Sequence, residues 1–507
     1  MLARIATFAI DGIDPRHVWV EVDIRSGLPA FTIVGLGDAA VRESRDRVRS
    51  AIANSGFDFP QTRITANLAP AFLRKVGPGF DAALALGVLA ASEQVPADAL
   101  GAYAVFGELS LSGELRDSPG ALAVAEGARR AGLERLIVPR QRAREAAVVD
   151  GLEIAGVSSL RAAAEVLAGA APPPLPPPAV DSRAAAPAEP DLADVRGHAG
   201  PLLALEIAAA GGHNLLFEGA PGTGKTMLAR RIPSILPAMS RAEAIEVTRI
   251  HSIAGLHASG LVQARPFRAP HHTISPSGLV GGGAPPRPGE ATLANHGVLF
   301  LDELAEFQRS TLDALRQPLE DGCVTIVRGQ RALVFPTRFM LVAATNPCPC
   351  GFAGVGDRCR CGEADLRRHS RRLSGPLLDR MDLLINVERP TEPELRAAPQ
   401  TSSARARDRV AHARERQRFR LAGSAARCNA EMDARLVRRH IRLEEAAEQA
   451  LAQAYAVGAL SARGRHRVVR VAQTIADLGG HDRVTHTDLL TALGLRQRGE
   501  AETTLAA

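Results

Sequence analysis

The sequence predicts an α/β chain in three parts: an N-terminal α/β domain over residues 1–170, a glycine-loop α/β core over 191–390, and a helical C-terminal lid over 391–507. Three observations carry that reading. APPPLPPPAVDSRAAAPAEP, 171–190, holds eight prolines and no apolar periodicity, the composition of a stiff, extended linker. HNLLFEGAPGTGKTMLARRI joins an apolar strand, a glycine loop and a helix start. From Thr391 onward the chain is arginine-rich and mostly helical in pattern. A length of 507 residues suits about three domains of ~150 residues each.

In the first domain HVWVEVDI (17–24) and FTIVGLG (31–37) read as strands, and VRESRDRVRSAIANSGF as an amphipathic helix ended near Gly56. Apolar residues make up 46% of the chain, enough for sizeable cores. Only two lysines, Lys75 and Lys225, stand against dozens of arginines, so a retained lysine is informative. The net charge of +6 suits a polyanionic partner without proving one. MLARIATFAIDGID breaks into charge and glycine too early for a signal peptide. The apolar stretch 82–91 is too short to cross a bilayer. The expectation is a cytoplasmic protein with no membrane partner and with reduced thiols.

The chemistry begins at Gly219, Ala220, Pro221, Gly222, Thr223, Gly224, Lys225 and Thr226, which satisfy G-x-x-x-x-G-K-[ST] in full. Glycines there let backbone N–H groups approach phosphate oxygens, and the following helix N-terminus adds partial positive charge. Lys225 is predicted to reach the β- and γ-phosphates of ATP, and Thr226 to ligate Mg2+. In GVLFLDEL (297–304) a buried strand delivers Asp302 to the magnesium and Glu303 to the attacking water. FMLVAATNP (339–347) reads as a further buried strand, ending at Asn346, which is placed to orient that water. SGPLLDRMDLL (374–384) contains Arg380, expected to act in trans as an arginine finger; a surface pair with Asp379 or Asp382 is the plainer alternative.

In that order these motifs resemble an AAA+ ATPase with a P-loop core. PHHTIS, GLVGGG, PRPGEATLANHGVLFLDEL and RRLSGPLLDRMDLL resemble its magnesium-chelatase-like branch. The stretch from AIDGIDPRHVWVEVDI to GFDFP, together with GGHNLLFEGAPGTGKTMLARRIPSILP and RVVRVAQTIADL, is similar to the competence-protein ComM group, end to end except for the linker. The resemblance implies a hexameric ATP-driven DNA translocase with helicase activity that promotes branch migration in homologous recombination during natural transformation, alongside recombination proteins. It further implies that Arg467 acts as a second sensor over the nucleotide, with Arg463 and Arg470 close enough to compete for that role.

DGCVTIVRGQRALVFPTRF (321–339) reads as a hairpin whose Arg328 and Arg331 could grip DNA phosphates without reading sequence, on branched or single-stranded substrates; arginines that merely solubilise an exposed hairpin are the alternative. In related ring motors such a hairpin points into the central pore, and the 273–290 insertion would be a second pore loop. His271 and His272 suit loop anchoring better than metal binding. Arg405, Arg409, Arg416 and Arg420 fall roughly along one helix, a solvated face or a DNA contact. Cys348, Cys350, Cys359 and Cys361 lie within fourteen residues: either a structural four-cysteine Zn2+ site or reduced, unligated thiols. Cys323 and Cys428 suit small buried hydrophobes.

The first domain resembles the proteolytic domain of Lon-type proteases (the Lon/S5-like fold), through KVGPGFD and GELSLSGEL. A Lon-type site needs a serine nucleophile and a lysine that takes its proton. Here those positions fall on Gly79 and Leu122, and Lys75 precedes the turn, so the fold is expected to serve as a scaffold. A DNA motor therefore leads. A metal-insertion chaperone like the magnesium-chelatase ATPase subunit is the alternative, which the linked Lon-like domain argues against. Glu303 and Arg380 argue for turnover over a non-catalytic assembly factor.

Overall fold

The computed structural model describes residues 1–176, 190–256, 260–284, 286–328, 331–373, 375–458 and 460–496. It is a mixed α/β protein with two large sheets and a helical C-terminal part. Most of the proline-rich stretch lies outside the described residues.

The first sheet has seven strands: β1 (Leu2–Asp11), β2 (Asp14–Arg25), β3 (Ala30–Val34), β4 (Arg63–Ala69), β5 (Tyr103–Val105), β6 (Arg135–Pro139) and β7 (Glu153–Val157), in the order β3-β4-β2-β1-β5-β6-β7. β1 and β2 pair antiparallel through a two-residue turn, Gly12-Ile13, with Gly12 at φ +69°. Alternating burial along β4 is the pattern of a sheet covered on one face. Helix α1 (Ala39–Asn54) is capped by the Asp38 carboxylate, which accepts from the Val41 N–H at 3.0 Å. Helix α2 (Asp81–Ala91) is buried along its whole length, and α3 (Ala121–Arg130) packs on β1 and β2.

The second sheet is parallel throughout. It comprises β8 (Leu215–Glu218), β9 (Phe267–Arg268), β10 (Val298–Leu301), β13 (Met340–Thr345) and β14 (Leu383–Asn386), in the order β9-β10-β13-β8-β14. The intervening β11 (Cys323–Arg328) and β12 (Arg331–Pro336) form a separate two-stranded hairpin. β10 and β13 are buried at every position, as expected of strands covered on both faces. Helix α4 (Ala199–Gly211) lies on this sheet and is backed by α7 (Ser403–Arg420) and α8 (Ala462–Gly479), while α5 (Arg241–Ile253) bridges toward the first domain. Helix α6 (Glu363–Arg372) follows the cysteine segment. Among the described residues no helix is long and apolar enough to cross a membrane.

The α7 arginines are not a free basic face. Arg409 pairs with Glu206, Arg416 with Asp482 at 2.7 Å, and Arg420 with the buried Asp477, leaving Arg405 exposed. Cys428 is buried as expected, whereas Cys323 is only half-buried because it opens the hairpin at a surface strand.

Candidate nucleotide site

β8 ends where the glycine loop begins. A Cβ added at Gly219 would lie 2.3 Å from the Val387 carbonyl oxygen, so no side chain fits there. Gly222 and Gly224, at φ +80° and +91°, turn the loop into the helix that starts at Lys225. The Lys225 ammonium donates to the carbonyls of Gly219 (2.7 Å) and Ala220 (2.9 Å) and to Asn346 Oδ1 (3.1 Å). Burial lowers its pKa, opposed by Asp302, Glu218 and Glu303. Thr226 Oγ1 donates to Asp302 Oδ2 at 2.7 Å. Thr223 Oγ1 bonds back to the Ala220 carbonyl at 2.9 Å, closing the loop. Loop, hydroxyl, carboxylate and strand-end amide thus meet at one end of the parallel sheet. Amides and an ammonium suit a polyphosphate, and a hydroxyl beside a carboxylate suits a hard divalent cation.

Glu303 follows β10 with its backbone at φ +51°, uncommon for a residue with a side chain, and its carboxylate is largely exposed. His272 Nδ1 lies 3.5 Å from Glu303 Oε2, and the ring lies tilted at 34° against that of His271, with centroids 4.0 Å apart. His271 anchors the loop through Thr273 Oγ1 at 2.9 Å. The contact of His272 with Glu303 was not readable in the sequence, although the pair sits just after β9, beside β10. The His198 ring is a second omission: its Nε2 would lie 3.4 Å from a Cβ on Gly224.

The cysteine segment leaves β13 directly. Sγ–Sγ separations are 3.4 Å for Cys348–Cys350, 3.9 Å for Cys348–Cys359 and 3.7 Å for Cys350–Cys359, and all four ligand atoms lie within 4.8 Å of one another. A tetrahedron of thiolates with ~2.3 Å Zn–S bonds has edges of about 3.8 Å. Backbone N–H groups of Arg360 and Phe352 pull the Cys350 thiol down to about 6. The donor set fits Zn2+. A Cβ on Gly351 would meet Pro221 Cδ at 2.6 Å, so the knuckle presses against the glycine loop. His369 of α6, buried, donates from Nε2 to the Asn346 carbonyl at 2.9 Å.

Arg380 and Arg467 are not brought to this place. Both lie at the opposite ends of β8 and β14, about the buried Asp382, whose Oδ2 accepts from the Asn214 N–H at 3.1 Å just before β8 begins. Arg467 and Arg470 approach Asp382 Oδ1 at 3.3 and 3.5 Å. Burial opposes ionisation of Asp382, yet His213, Arg470 and Arg467 hold its carboxyl well below the usual carboxylate range. Arg380 is buried and pairs with Glu320. These arginines line a cleft of about 950 Å3 together with Arg427 and Arg463. Arg328 and Arg331 face each other across the last rung of the hairpin, and their side chains lie outside the described residues, as do 329 and 330.

Residues 191–395 match the family described as magnesium chelatase, subunit ChlI; 20–142 match subunit ChlI of Mg-chelatase; and 400–496 match the C-terminal part of that subunit. Among full-length relatives, an uncharacterized protein of Mycobacterium tuberculosis, Rv2897c, is 44% identical over 98% of this chain and 99% of its own. Uncharacterized protein YifB of Escherichia coli is 43% identical and competence protein ComM of Haemophilus influenzae 42%, each over 98% of this chain and 97% of its own.

Proposed function

We propose that this chain, which belongs to the ComM/YifB-type family of magnesium-chelatase-like AAA+ proteins, is a cytoplasmic ATPase that assembles into a six-membered ring, translocates DNA and drives branch migration during recombination of incoming DNA. The observation that carries it is the separation of two half-sites across one sheet. Lys225, Thr226, Asp302, Glu303 and Asn346 stand at one end, while Arg380 and Arg467 stand at the other.

Lys225 and the loop amides bind the phosphates of ATP, and Thr226 and Asp302 hold Mg2+. The ion, when bound, neutralises charge on the phosphate oxygens. Asn346 orients the attacking water and Glu303 takes its proton. Arg380 stabilises developing charge in a neighbouring subunit's site, exchanging Glu320 for phosphate oxygens, and Arg467, beside Asp382, is the second sensor of the nucleotide. Arg328 and Arg331 grip phosphates of branched or single-stranded DNA without reading bases, which makes binding salt-dependent. Zn2+ at Cys348, Cys350, Cys359 and Cys361 is structural.

The names of the three matched families favour a second reading, an ATP-dependent remodelling factor like the chelatase subunit; since one of those matches covers 20–142, the first domain does not separate the two. Steady-state ATPase separates them. Stimulation by forked or four-way DNA supports the motor. Stimulation by a porphyrin or a protein partner, with none by DNA, supports remodelling.

A further inference from the structure

The first domain has a glycine, Gly79, where a Lon-type site has its serine nucleophile, yet it is not a loose appendage. An isolated two-stranded hairpin is marginal in water and needs an apolar partner. Here β11–β12 belongs to neither large sheet, and its root is packed by the first domain. Ile13, in the turn between β1 and β2, is 6% exposed and clusters with Val324 and Phe335 of the hairpin, Ile250 of α5 and Leu293. A Cβ on Gly12 would sit 3.6 Å from Leu333 Cδ2 and Phe335 Cζ, at van der Waals contact. Val327 and Val334, on the hairpin's other face, are exposed, so the support acts on one face only, through Val324, Phe335, Ile326 and Leu333.

A polar latch holds the same seam. The Gly120 N–H donates to Ser252 Oγ at 2.9 Å, and Ser252 donates to Glu145. Glu145, fully buried, also accepts from the Leu122 N–H at 2.8 Å and from Arg142 Nη1 at 3.0 Å. Arg249 of α5 pairs with Glu126 of α3 at 3.1 Å. Opening this seam would part Arg249 from Glu126 and take the Ser252 hydroxyl from both Glu145 and the Gly120 N–H, while Glu145 would keep Arg142 and the Leu122 N–H of its own domain. The site that resembles a protease's has thus become a joint: the position matching the catalytic lysine, Leu122, contributes only its backbone N–H to the latch.

We infer that the first domain is the stay of the β11–β12 hairpin: the Gly12-Ile13 turn fixes the hairpin's root, so that domain and hairpin move as one body. The inference rests on the motor reading only in taking the hairpin as the element that grips DNA. Ile13 is a positioning residue.

The test uses the full chain with Ile13→Ala and, as the conservative variant, Ile13→Val. Ile13→Ala is expected to raise hydrogen–deuterium exchange across 323–336 about tenfold, leave basal ATPase within about twofold, and lower DNA-stimulated ATPase about fivefold or more, with Ile13→Val restoring it. Unchanged exchange in the hairpin would overturn the inference. A second arm replaces Gly12 and Leu333 by cysteine, whose Cβ atoms would be 3.7 Å apart, within reach of a disulfide. Either single variant under the same oxidant controls for the native cysteines. Retained DNA-stimulated turnover in the cross-linked protein supports one-body motion, and a loss reversed by reductant refutes it. The exchange measurement needs no DNA, so failure of the wild type to respond to any DNA sinks the motor reading alone.

Discussion

Replacing Cys348 by serine is expected to uncouple the ATP site from its metal knuckle. Cys348 is fully buried, and its sulfur lies 3.4 and 3.9 Å from those of Cys350 and Cys359, near the ~3.8 Å edge of a zinc–thiolate tetrahedron. Structural Zn2+ sites bind with roughly 10–16 kcal/mol in small peptides at neutral pH, so zinc held by the four thiolates is expected to withstand mild chelation. Loss of one thiolate of four releases the metal, and the segment 348–361 loses its internal tie. Asn346 is two residues away, its carbonyl held by His369, and Gly351 bears on Pro221 of the glycine loop. A displacement of ~1 Å of a catalytic group costs up to about 100-fold in rate, so kcat for ATP should fall about 10- to 100-fold while the first domain stays folded. The assay combines metal content by mass spectrometry, steady-state ATPase, and far-UV circular dichroism. A zinc-free Cys348→Ser protein with unchanged kcat would refute the coupling, and wild type that hydrolyses ATP while holding no zinc would refute the site.

Further outcomes follow from other contacts. Gly79→Ser with Leu122→Lys should yield no peptidase and lose about 1–3 kcal/mol from overpacking alone, since a Cβ at Gly79 lies 2.5 Å from Phe106 Cε2; peptide hydrolysis by the double variant would contradict this. Burial lowers the pKa of His213 from 6.5, so on acidification the unfolded chain takes up the proton first. Stability is therefore full above about pH 6.5 and falls below it, with Asp382 adding a further loss below about pH 3.9; a denaturation midpoint flat from pH 8 to 5 would count against it. Asp382→Ala strands the Arg467 guanidinium, while Arg470 keeps the Ala430 and Met432 carbonyls, and should cost about 3–5 kcal/mol, read by chemical denaturation, whereas a loss under 1 kcal/mol would show Arg467 paired elsewhere in the variant. If Arg380 acts in trans, mixing inactive Lys225→Ala and Arg380→Ala subunits restores ATPase at about a quarter of randomly formed interfaces, and no recovery on mixing contradicts it.

Much of the core was readable because its signals are local. β8, β10 and β13 are mostly buried apolar runs, and each is followed directly by the residue its predicted role requires: Gly219, Asp302 and Asn346. The glycine loop announces itself by spacing. What sequence could not supply were partners far along the chain. Arg409 and Arg420 read as one basic stripe because their acids, Glu206 and Asp477, lie 203 and 57 residues away. Helical phase groups Arg463, Arg467 and Arg470 but says nothing of which sheet edge they meet. That edge is set by Asp382 and the Asn214 N–H. His272 was legible as a loop histidine, but its distance to Glu303 depends on β9 lying beside β10. The seat of Ile13 on Phe335 joins two parts of the chain that no periodicity connects.

The central claim is that ATP hydrolysis at subunit boundaries moves DNA. Its most direct test is ATP-dependent dissociation of a mobile synthetic four-way junction by the full chain, with Lys225→Ala and Arg380→Ala alongside. Dissociation by the wild type and none by either variant is the expected result. ATP hydrolysis by the wild type with no movement of any junction, fork or overhang would contradict it.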